Sequence, residues 1–452
     1  MYDITIVGSG VSGIFLAYTL LQSETNLKIL MVEKGKEFLD RICPIEIELS
    51  GKCMNCKTCN KIQGFGGMGR SEGKFNYTND FGGNLGDKIG NKLTMDLMEN
   101  VDKTLCLFGG DKVKIYSTEN EELIKLSKGS KYDILNTKVR HLGTKLSYEI
   151  LEKMYIYLKD KVDIKCETDI ITIDKKNNVF RLNIHQNVFR SKVVVLATGI
   201  SGGDRFLNYC KNFNIVPFRE RLDLGIRVEM KGDQLEDILK DSFEVKVRYR
   251  GDKFEATTYC MNPKGKVIKK YQEGLVMADG QNQLETDSPS CNLNFSIFVP
   301  RYFSCHKKAR EYARSIIQSI NRGKERIVIQ RFGDILKNRE TTNCQLFRNS
   351  IMPSLAYEGG NLYNEIPKVY IEALLKIFES IESLTGKKIS MDTLLYGIDA
   401  KFYEPEISTN EFFETKQKGL YITGDCSGVT YSLSQAAASA VYLGRHLLGN
   451  EQ

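Results

Sequence analysis

The stretch Tyr2-Asp3-Ile4-Thr5-Ile6-Val7-Gly8-Ser9-Gly10-Val11-Ser12-Gly13-Ile14-Phe15-Leu16-Ala17-Tyr18-Thr19-Leu20-Leu21 decides the fold. Tyr2–Val7 reads as a buried strand, the glycines follow at once as a turn, and Ile14–Leu21 reads as an apolar helix. A second β-rich run, Leu27–Val32, ends in Glu33, twenty residues beyond Gly13. A lone Gly-x-Gly-x-x-Gly says little, but between a strand and a helix, with an acid closing the next strand, it predicts a dinucleotide-binding βαβ unit. Gly8 permits the tight turn, Gly10 lets a pyrophosphate approach the backbone, and Gly13 allows helix and strand to pack closely. The helix N-terminus offers N–H groups and a positive dipole end to the phosphates. Glu33 is placed to accept from ribose hydroxyls and would repel a 2′-phosphate, so the site favours FAD or NAD over NADP. Lys34 follows it as a further cofactor-site candidate.

Two distant segments select between FAD and NAD. Val193-Val194-Val195-Leu196-Ala197-Thr198-Gly199 is a buried strand ending in Ala-Thr-Gly, and Gly419-Leu420-Tyr421-Ile422-Thr423-Gly424-Asp425 is another ending in Gly-Asp. A helix rich in small residues follows over Ser434–Leu448. The three segments in this order resemble the two-dinucleotide-binding flavoproteins, in which such an aspartate contacts the ribityl chain or pyrophosphate of FAD. The resemblance makes Thr198, Gly199, Gly424 and Asp425 cofactor-binding candidates. Between the ends, Leu146–Leu158 reads as a helix, Val162–Ile164 as a short strand, and Thr168–Ile173 and Val179–Ile184 as strands of a meander. The expected fold is therefore α/β: a three-layer, discontinuous Rossmann-like FAD domain over residues 1–204 and 411–452. An α+β substrate domain is inserted over 205–410, assigned by subtraction.

At 452 residues the chain is too long for one core, and 41 % hydrophobic with 27 % charged residues excludes a disordered chain. Sixty-four basic against 57 acidic residues leave +7, spread along the sequence, which fits a Lys-rich surface and does not require nucleic acid as a partner. No apolar run reaches membrane-spanning length, and Met1 leads straight into Ile4–Val7 without a basic leader, so the expected location is cytoplasmic. Twelve cysteines in such a chain do not suggest a disulfide framework.

Beyond the generic motifs, four stretches carry a narrower resemblance. They are Gly64-Phe65-Gly66-Gly67-Met68-Gly69-Arg70-Ser71-Glu72-Gly73-Lys74-Phe75-Asn76; Arg140-His141-Leu142-Gly143-Thr144; Tyr259-Cys260-Met261-Asn262-Pro263-Lys264-Gly265 with Asp279-Gly280-Gln281-Asn282; and the cysteines from Cys43 to Cys59. Together they resemble the uncharacterised bacterial FAD-dependent dehydrogenases, related to geranylgeranyl-reductase-like and aromatic-hydroxylase-like flavoproteins, over most of the chain up to about residue 300. Two departures stand out: Ile200-Ser201-Gly202-Gly203-Asp204 replaces the family's His-Ser-Ala-Arg-Asp, and Gly424-Asp425 replaces a Gly-Glu version. In related flavoproteins, a loop like Gly64–Gly69 wraps backbone around the isoalloxazine. This makes Gly66, Gly67, Gly69 and Ser71 cofactor candidates, and Lys74 a candidate charge beside a reduced flavin. His141 and Cys260 are further catalytic candidates from these stretches; for each the alternative is a structural role, and for Cys260, as for Cys426, a buried inert thiol.

Cys43, Cys53, Cys56 and Cys59 crowd together, the last three as Cys-x-x-Cys-x-x-Cys. The spacing suits an iron–sulfur cluster of the 4Fe–4S kind, a tetrahedral zinc, or a redox thiol pair exchanging electrons with FAD; four unligated thiols are the remaining alternative. Arg219, Arg221, Arg227, Arg248 and Arg250 suggest an anion-binding face, which period-two exposure along strands explains equally well. The expected function is an FAD-dependent reductase or dehydrogenase exchanging hydride at flavin N5 with a small organic substrate. With no second Gly-x-Gly-x-x-Gly, its electrons would come from transient NAD(P)H or a small redox protein. The alternatives are a monooxygenase and a flavin-dependent RNA-modifying protein.

Overall fold

The computed structural model describes residues 1–24, 26–44, 56, 58–70, 73–185, 187–239, 245–272, 274–283 and 288–449. The chain divides into two compact units, one of residues 1–116, 137–219 and 403–452, the other of residues 117–136 and 220–402. Residues 205–219 and 403–410, expected in the inserted domain, thus stay with the first unit, and 117–136 join the second.

The first unit is built on strands β1 (Tyr2–Val7), β2 (Ile29–Val32), β3 (Asp163–Lys165), β4 (Thr172–Lys176), β5 (Val179–Asn183) and β6 (Val188–Leu196). They lie in the order β3-β2-β1-β6-β5-β4, with Leu420–Ile422 also paired to β6. β3, β2, β1, β6 and Leu420–Ile422 are mutually parallel. β2, Leu420–Ile422 and the end of β6 read as near-continuous apolar runs because both faces are covered there, as parallel sheets require. Alternation divides the strands: Ile4, Ile6, Ile29, Met31 and Val195 join one core. Val7, Leu30, Val32, Val194 and Leu196 join another, with Phe180, Leu182, Phe206 and Tyr209. Helix α1 (Val11–Leu20) covers the first face, buried on nearly every side. A helix so apolar all round has to sit between layers. Against it lies the last described helix, Leu433–Leu447, where a Cβ on Gly444 would stand 2.8 Å from Thr19 Cγ2.

The meander β4–β5–β6 turns tightly at Asn177-Asn178, both at positive φ, as a two-residue hairpin loop demands. β4 begins later than the apolar pattern suggests. Thr168 N–H donates to the Glu33 carbonyl and Glu167 N–H to that of Gly35, which ties this segment to the exit of β2.

The second unit is a sheet of long strands: β7 (Pro217–Lys231, counted here from Glu220), β8 (Lys246–Arg250), β9 (Glu255–Pro263), β10 (Lys266–Gln272), β11 (Leu275–Gln281), β12 (Asn292–Phe303), β13 (Val328–Arg331) and β14 (Leu394–Phe402). The main sheet runs Glu358–Gly359, β13, β14, β7, β12, β9, β8 and Tyr132–Leu135. It is antiparallel except where β13 meets Glu358–Gly359. Its even-numbered β7 residues, Leu222, Leu224, Ile226, Val228 and Met230, form the apolar face, in one core with Ile316 and Ile317 of helix His306–Asn321 and Ile377 and Ile381 of helix Lys368–Thr385. The opposite face is charged. Over it folds the β10–β11 hairpin, whose Lys270 Nζ stands 3.1 Å from Asp399 Oδ1. Arg227, fully buried beneath, donates to Ser296 and Asn294. Gly280 of the sequence motif leaves room for this guanidinium: a Cβ there would stand 1.4 Å from Arg227 Nη2.

A Cβ on Gly13 would stand 2.1 Å from the Gly8 carbonyl oxygen, so helix and strand can meet here only without a side chain. Gly13→Ala is expected to lower unfolding free energy by roughly 1–3 kcal/mol or more, read as the denaturant midpoint.

Candidate functional site

The turn after β1 shows why each of its glycines is needed. Gly8 sits at φ +108°, and a Cβ there would collide with the Ala197 carbonyl at 2.4 Å. Gly10 is different: nothing lies within 4 Å of where its Cβ would be. It opens onto a cavity of about 590 Å³ also lined by Gly64, Gly67, Met68, Gly69, Thr198, Gly199, Asp425 and Leu433. A second cavity of about 520 Å³ is lined by Val7, Lys34, Thr168, Asp169, Arg205 and Tyr209 among others. The two share Gly8, Glu33, Gln63, Thr198 and Ser201, and so form one trough around the turn. It lies at the carboxyl ends of β1, β2 and β6, where open α/β sheets bind ligands.

The glycine-rich loop is fastened over this turn. Gly66 N–H donates to the Ser9 carbonyl at 2.8 Å and Phe65 N–H to that of Lys36 at 3.0 Å. A Cβ on Gly67 would stand 3.0 Å from Gly10 Cα, so the loop backbone lies directly against the dinucleotide turn. Arg41 holds the loop from beneath, with 1 % of its surface exposed. It donates to the carbonyls of Asn60, Lys61, Phe65 and Gly67, at 3.1, 3.0, 2.6 and 3.0 Å. Burial pushes this guanidinium down to about 10, which leaves it charged near neutral pH. Arg70 donates to the Arg41 carbonyl and lies over the rings of Tyr148 and Phe38. Sequence reading passed over Arg41, because a single arginine in a cysteine-rich loop has no periodicity or motif to mark it.

Glu33 closes β2 at the trough wall and has a second task that the motif does not reveal. Its Oε2 accepts from Ser9 N–H at 3.0 Å and Ser9 Oγ at 2.9 Å, and its Oε1 accepts from Gly35 and Gly64 N–H at 2.8 and 3.1 Å. These four donors match the capacity of a carboxylate. They join the β1 turn, the exit of β2 and the glycine loop at one buried charge. A ribose hydroxyl would reach Glu33 by displacing one of them, and Ser9 Oγ is the donor that can rotate away.

At the far wall, Asp425 Oδ1 accepts from Thr430 Oγ1 at 2.8 Å. Gly424 sits at φ +74°, where a Cβ would stand 2.1 Å from Ser12 Oγ, so the Gly-Asp strand end is pressed onto the first turn of α1. Gly8, Gly10, Glu33, Lys34, Gly67, Gly69, Thr198, Gly199 and Asp425 thus all line the trough, while Gly13, Gly66 and Gly424 support it by packing or hydrogen bonding. Ser71 lies outside the described residues.

Lys74 and His141 stand opposite each other on the antiparallel pair Lys74–Tyr77 and Lys138–His141, away from the trough lining. Cys260 belongs to the second unit, on β9 at φ +52°, where the pairing of β9 with β12 shifts register. It is exposed, so the buried-thiol expectation fails for it; the bulge turns the residue out of the strand's alternation. Cys426 is buried, and burial pushes its thiol up to about 12. Of the cysteine cluster, Cys53 lies outside the described residues, Cys56 is exposed and Cys43 and Cys59 are half-buried. Among the described residues no three His, Cys, Asp or Glu side chains are placed to hold a metal ion. No helix of the described residues is long and apolar enough to cross a membrane.

The five arginines do not form one anion-binding face. Arg219 pairs with Glu406, Arg221 with Asp223, and Arg250 with Asp133; Arg227 is buried under the β10–β11 hairpin. Arg248 lies 3.7 Å from Asp133. Carboxylates on the same strand (Asp223) or on other strands stand beside each of them.

The first unit is thus a Rossmann-like α/β fold with its trough at the strand switch point. No family model and no curated protein matches the sequence. Among solved structures, the chain is similar to glycine oxidase from Geobacillus kaustophilus at 10 % identity, covering 100 % of this chain and 95 % of that one, with a TM-score of 0.41. It is similar to CtdE in complex with FAD and a substrate at 10 % identity, 98 % and 78 % coverage and a TM-score of 0.36. It is also similar to L-amino acid deaminase from Proteus myxofaciens in complex with anthranilate at 14 % identity, 100 % and 90 % coverage and a TM-score of 0.35. At such TM-scores no chemistry is carried over from them.

Arg41→Met removes the common donor of four loop carbonyls and is expected to cost about 3 kcal/mol in denaturant unfolding. Arg41→Lys should recover little of this, since an ammonium cannot span carbonyls arranged around a planar fork. In native protein near neutral pH, Cys210 and Cys426, both buried and pushed up to about 12 by that burial, should escape alkylation while exposed Cys260, Cys291 and Cys344 react; peptide mass spectrometry reads the difference.

Proposed function

We propose that this protein is an FAD-dependent oxidoreductase that exchanges a hydride with a small organic substrate. The observation that carries the reading is Gly10. It is the one glycine of the turn whose missing side chain opens onto the trough, and the loop backbone at Gly67 and the carboxylate of Asp425 line the same space. A diphosphate fits there, against the N-terminus of α1 and without a Cβ in its way. Thr198 lines the same trough, its side chain beside the buried Cys426 thiol.

When bound, FAD supplies a flavin N5 that accepts or delivers hydride. The chain's own part is binding and orientation. Gly8, Gly10 and the first turn of α1 would hold the diphosphate, Glu33 and Lys34 would border the ribose, and Thr198 and Asp425 would meet polar atoms along the chain between them. Gly64–Gly69, pinned by Arg41, would present backbone N–H groups to the ring end. Electrons would come from NAD(P)H bound transiently or from a small redox protein. The spacing of Cys43, Cys53, Cys56 and Cys59 supports an iron–sulfur cluster as the relay, with a redox-inert tetrahedral zinc as the alternative occupant; anaerobic purification should then give about four irons per chain, and one zinc, or no metal, would reject the relay.

The purified protein should be yellow, or take up FAD when it is added. Gly10→Leu should lower FAD affinity at least about tenfold while costing no more than about 1 kcal/mol of stability, because the residue has ordinary φ and open space before it. A folded wild-type protein that stays colourless and does not bind FAD would overturn the reading.

A further inference from the structure

The two cavities of the trough meet at Gly8, Glu33, Gln63, Thr198 and Ser201, which line both of them. To one side lie Gly10, Gly67 and the first turn of α1, the place argued above for a diphosphate. To the other lie Val7, Val32, Ile170 and Phe206, an apolar lining suited to a flat base. In a nucleotide the ribose joins base to phosphate, so a nucleotide in this trough brings its ribose hydroxyls to the shared middle.

Glu33, the acid that the glycine motif offers to those hydroxyls, is already occupied. Its oxygens accept from four protein donors, one of them the N–H of Gly64, the residue after Gln63. Ser201 Oγ donates to the Thr198 carbonyl at 3.2 Å, and the Thr198 side chain stands beside the Cys426 thiol. Gln63 differs. It is half-buried and held by a reciprocal turn: its N–H donates to the Cys59 carbonyl at 2.8 Å, and its Oε1 accepts from Cys59 N–H at 3.2 Å. A backbone N–H can only donate, so the atom facing it has to be the carboxamide oxygen, which fixes the amide in one of its two orientations. Nε2 and its two N–H groups are left over, and among the described residues none accepts from them.

The turn that carries this donor is stiff. Arg41 holds its Asn60 and Lys61 carbonyls at 3.1 and 3.0 Å. Gly35 packs so closely against its end that a Cβ there would stand 2.8 Å from the Gln63 carbonyl carbon. A donor already fixed in place loses little freedom when an acceptor arrives.

We propose that Gln63, through Nε2, donates to a ribose hydroxyl of the bound nucleotide and so reads the sugar in the place that the motif assigns to Glu33. This assignment takes the occupant to be a nucleotide and so rests on the flavin reading above. Glu33 is then the post that fastens the glycine loop. The competing route has a ribose hydroxyl displace Ser9 Oγ from Glu33.

The test measures the affinities of the full chain, freed of any flavin, for ADP, 2′-deoxy-ADP and 3′-deoxy-ADP by isothermal titration. FAD is titrated alongside, and circular dichroism checks that each sample is folded. ADP is expected to bind roughly fivefold more tightly than the weaker of the two deoxy analogues, the worth of one hydrogen bond. Gln63→Met should abolish that preference, whereas damage to the turn alone would weaken all three nucleotides alike and leave it. Ser9→Ala should also leave it, while on the competing route the variant clears the way to Glu33 and raises it severalfold. A wild-type chain without the preference overturns the proposal, as does a preference that Gln63→Met leaves intact or Ser9→Ala raises. If Gln63→Met does not fold, the wild-type and Ser9→Ala chains decide. FAD uptake without the ribose preference sinks the role of Gln63 and leaves the flavin reading standing. A preference that follows Gln63, with no uptake of FAD, does the reverse, and binding of neither nucleotide overturns both.

Discussion

The first unit depends on one close approach, that of Gly13 to the carbonyl of Gly8, where helix α1 rests on the end of β1 with no side chain between them. That contact sets the axis of α1 against the sheet and aims its unpaired N–H groups at the strand ends. Each later piece is fitted to the result: the Ala197 carbonyl beside Gly8, the loop backbone on Gly10, and Gly424 against Ser12. Parts of the chain hundreds of residues apart come within a few ångströms because glycine allows backbone to touch backbone.

Two buried charges then make the trough one body. Glu33 collects N–H groups from the turn, from the exit of β2 and from the glycine loop, while Arg41 collects carbonyls from the same loop. An anion and a cation thus hold opposite polar groups of one irregular segment, which otherwise would have no ladder or helix to satisfy them. Glu33 also acts on Arg41 by favouring its charged form. A loop held in this way is a stiff wall of the trough.

The second unit solves a different problem. Its sheet puts every second residue of five long strands on a polar face, and burying that face requires charge pairing across strands. Around Arg227 the pairing is complete and the hairpin seals it. Around Tyr259 the ammonium groups of Lys246 and Lys401 approach one ring, and the bulge at Cys260 breaks the alternation at the same place.

The βαβ unit was legible in the sequence because it is local: Tyr2 to Glu33 holds the strand, the turn, the helix and the acid, and alternation and glycine spacing record them directly. The same holds for Val193–Gly199, Leu420–Asp425 and the helix after them, whose apolar runs admit few other readings. Arg41 and the second role of Glu33 could not be read, since their partners are backbone atoms, which every residue has and no side-chain pattern marks. Nor could the gathering of Arg221, Lys246, Tyr259 and Lys401, because strand register across 180 residues decides which side chains share a face, and register is set by tertiary pairing. The sequence by itself determined the glycine turn and the order of its supports; only the tertiary structure decided which charges meet, because electrostatic energy depends on distances in space that spacing along the chain does not contain.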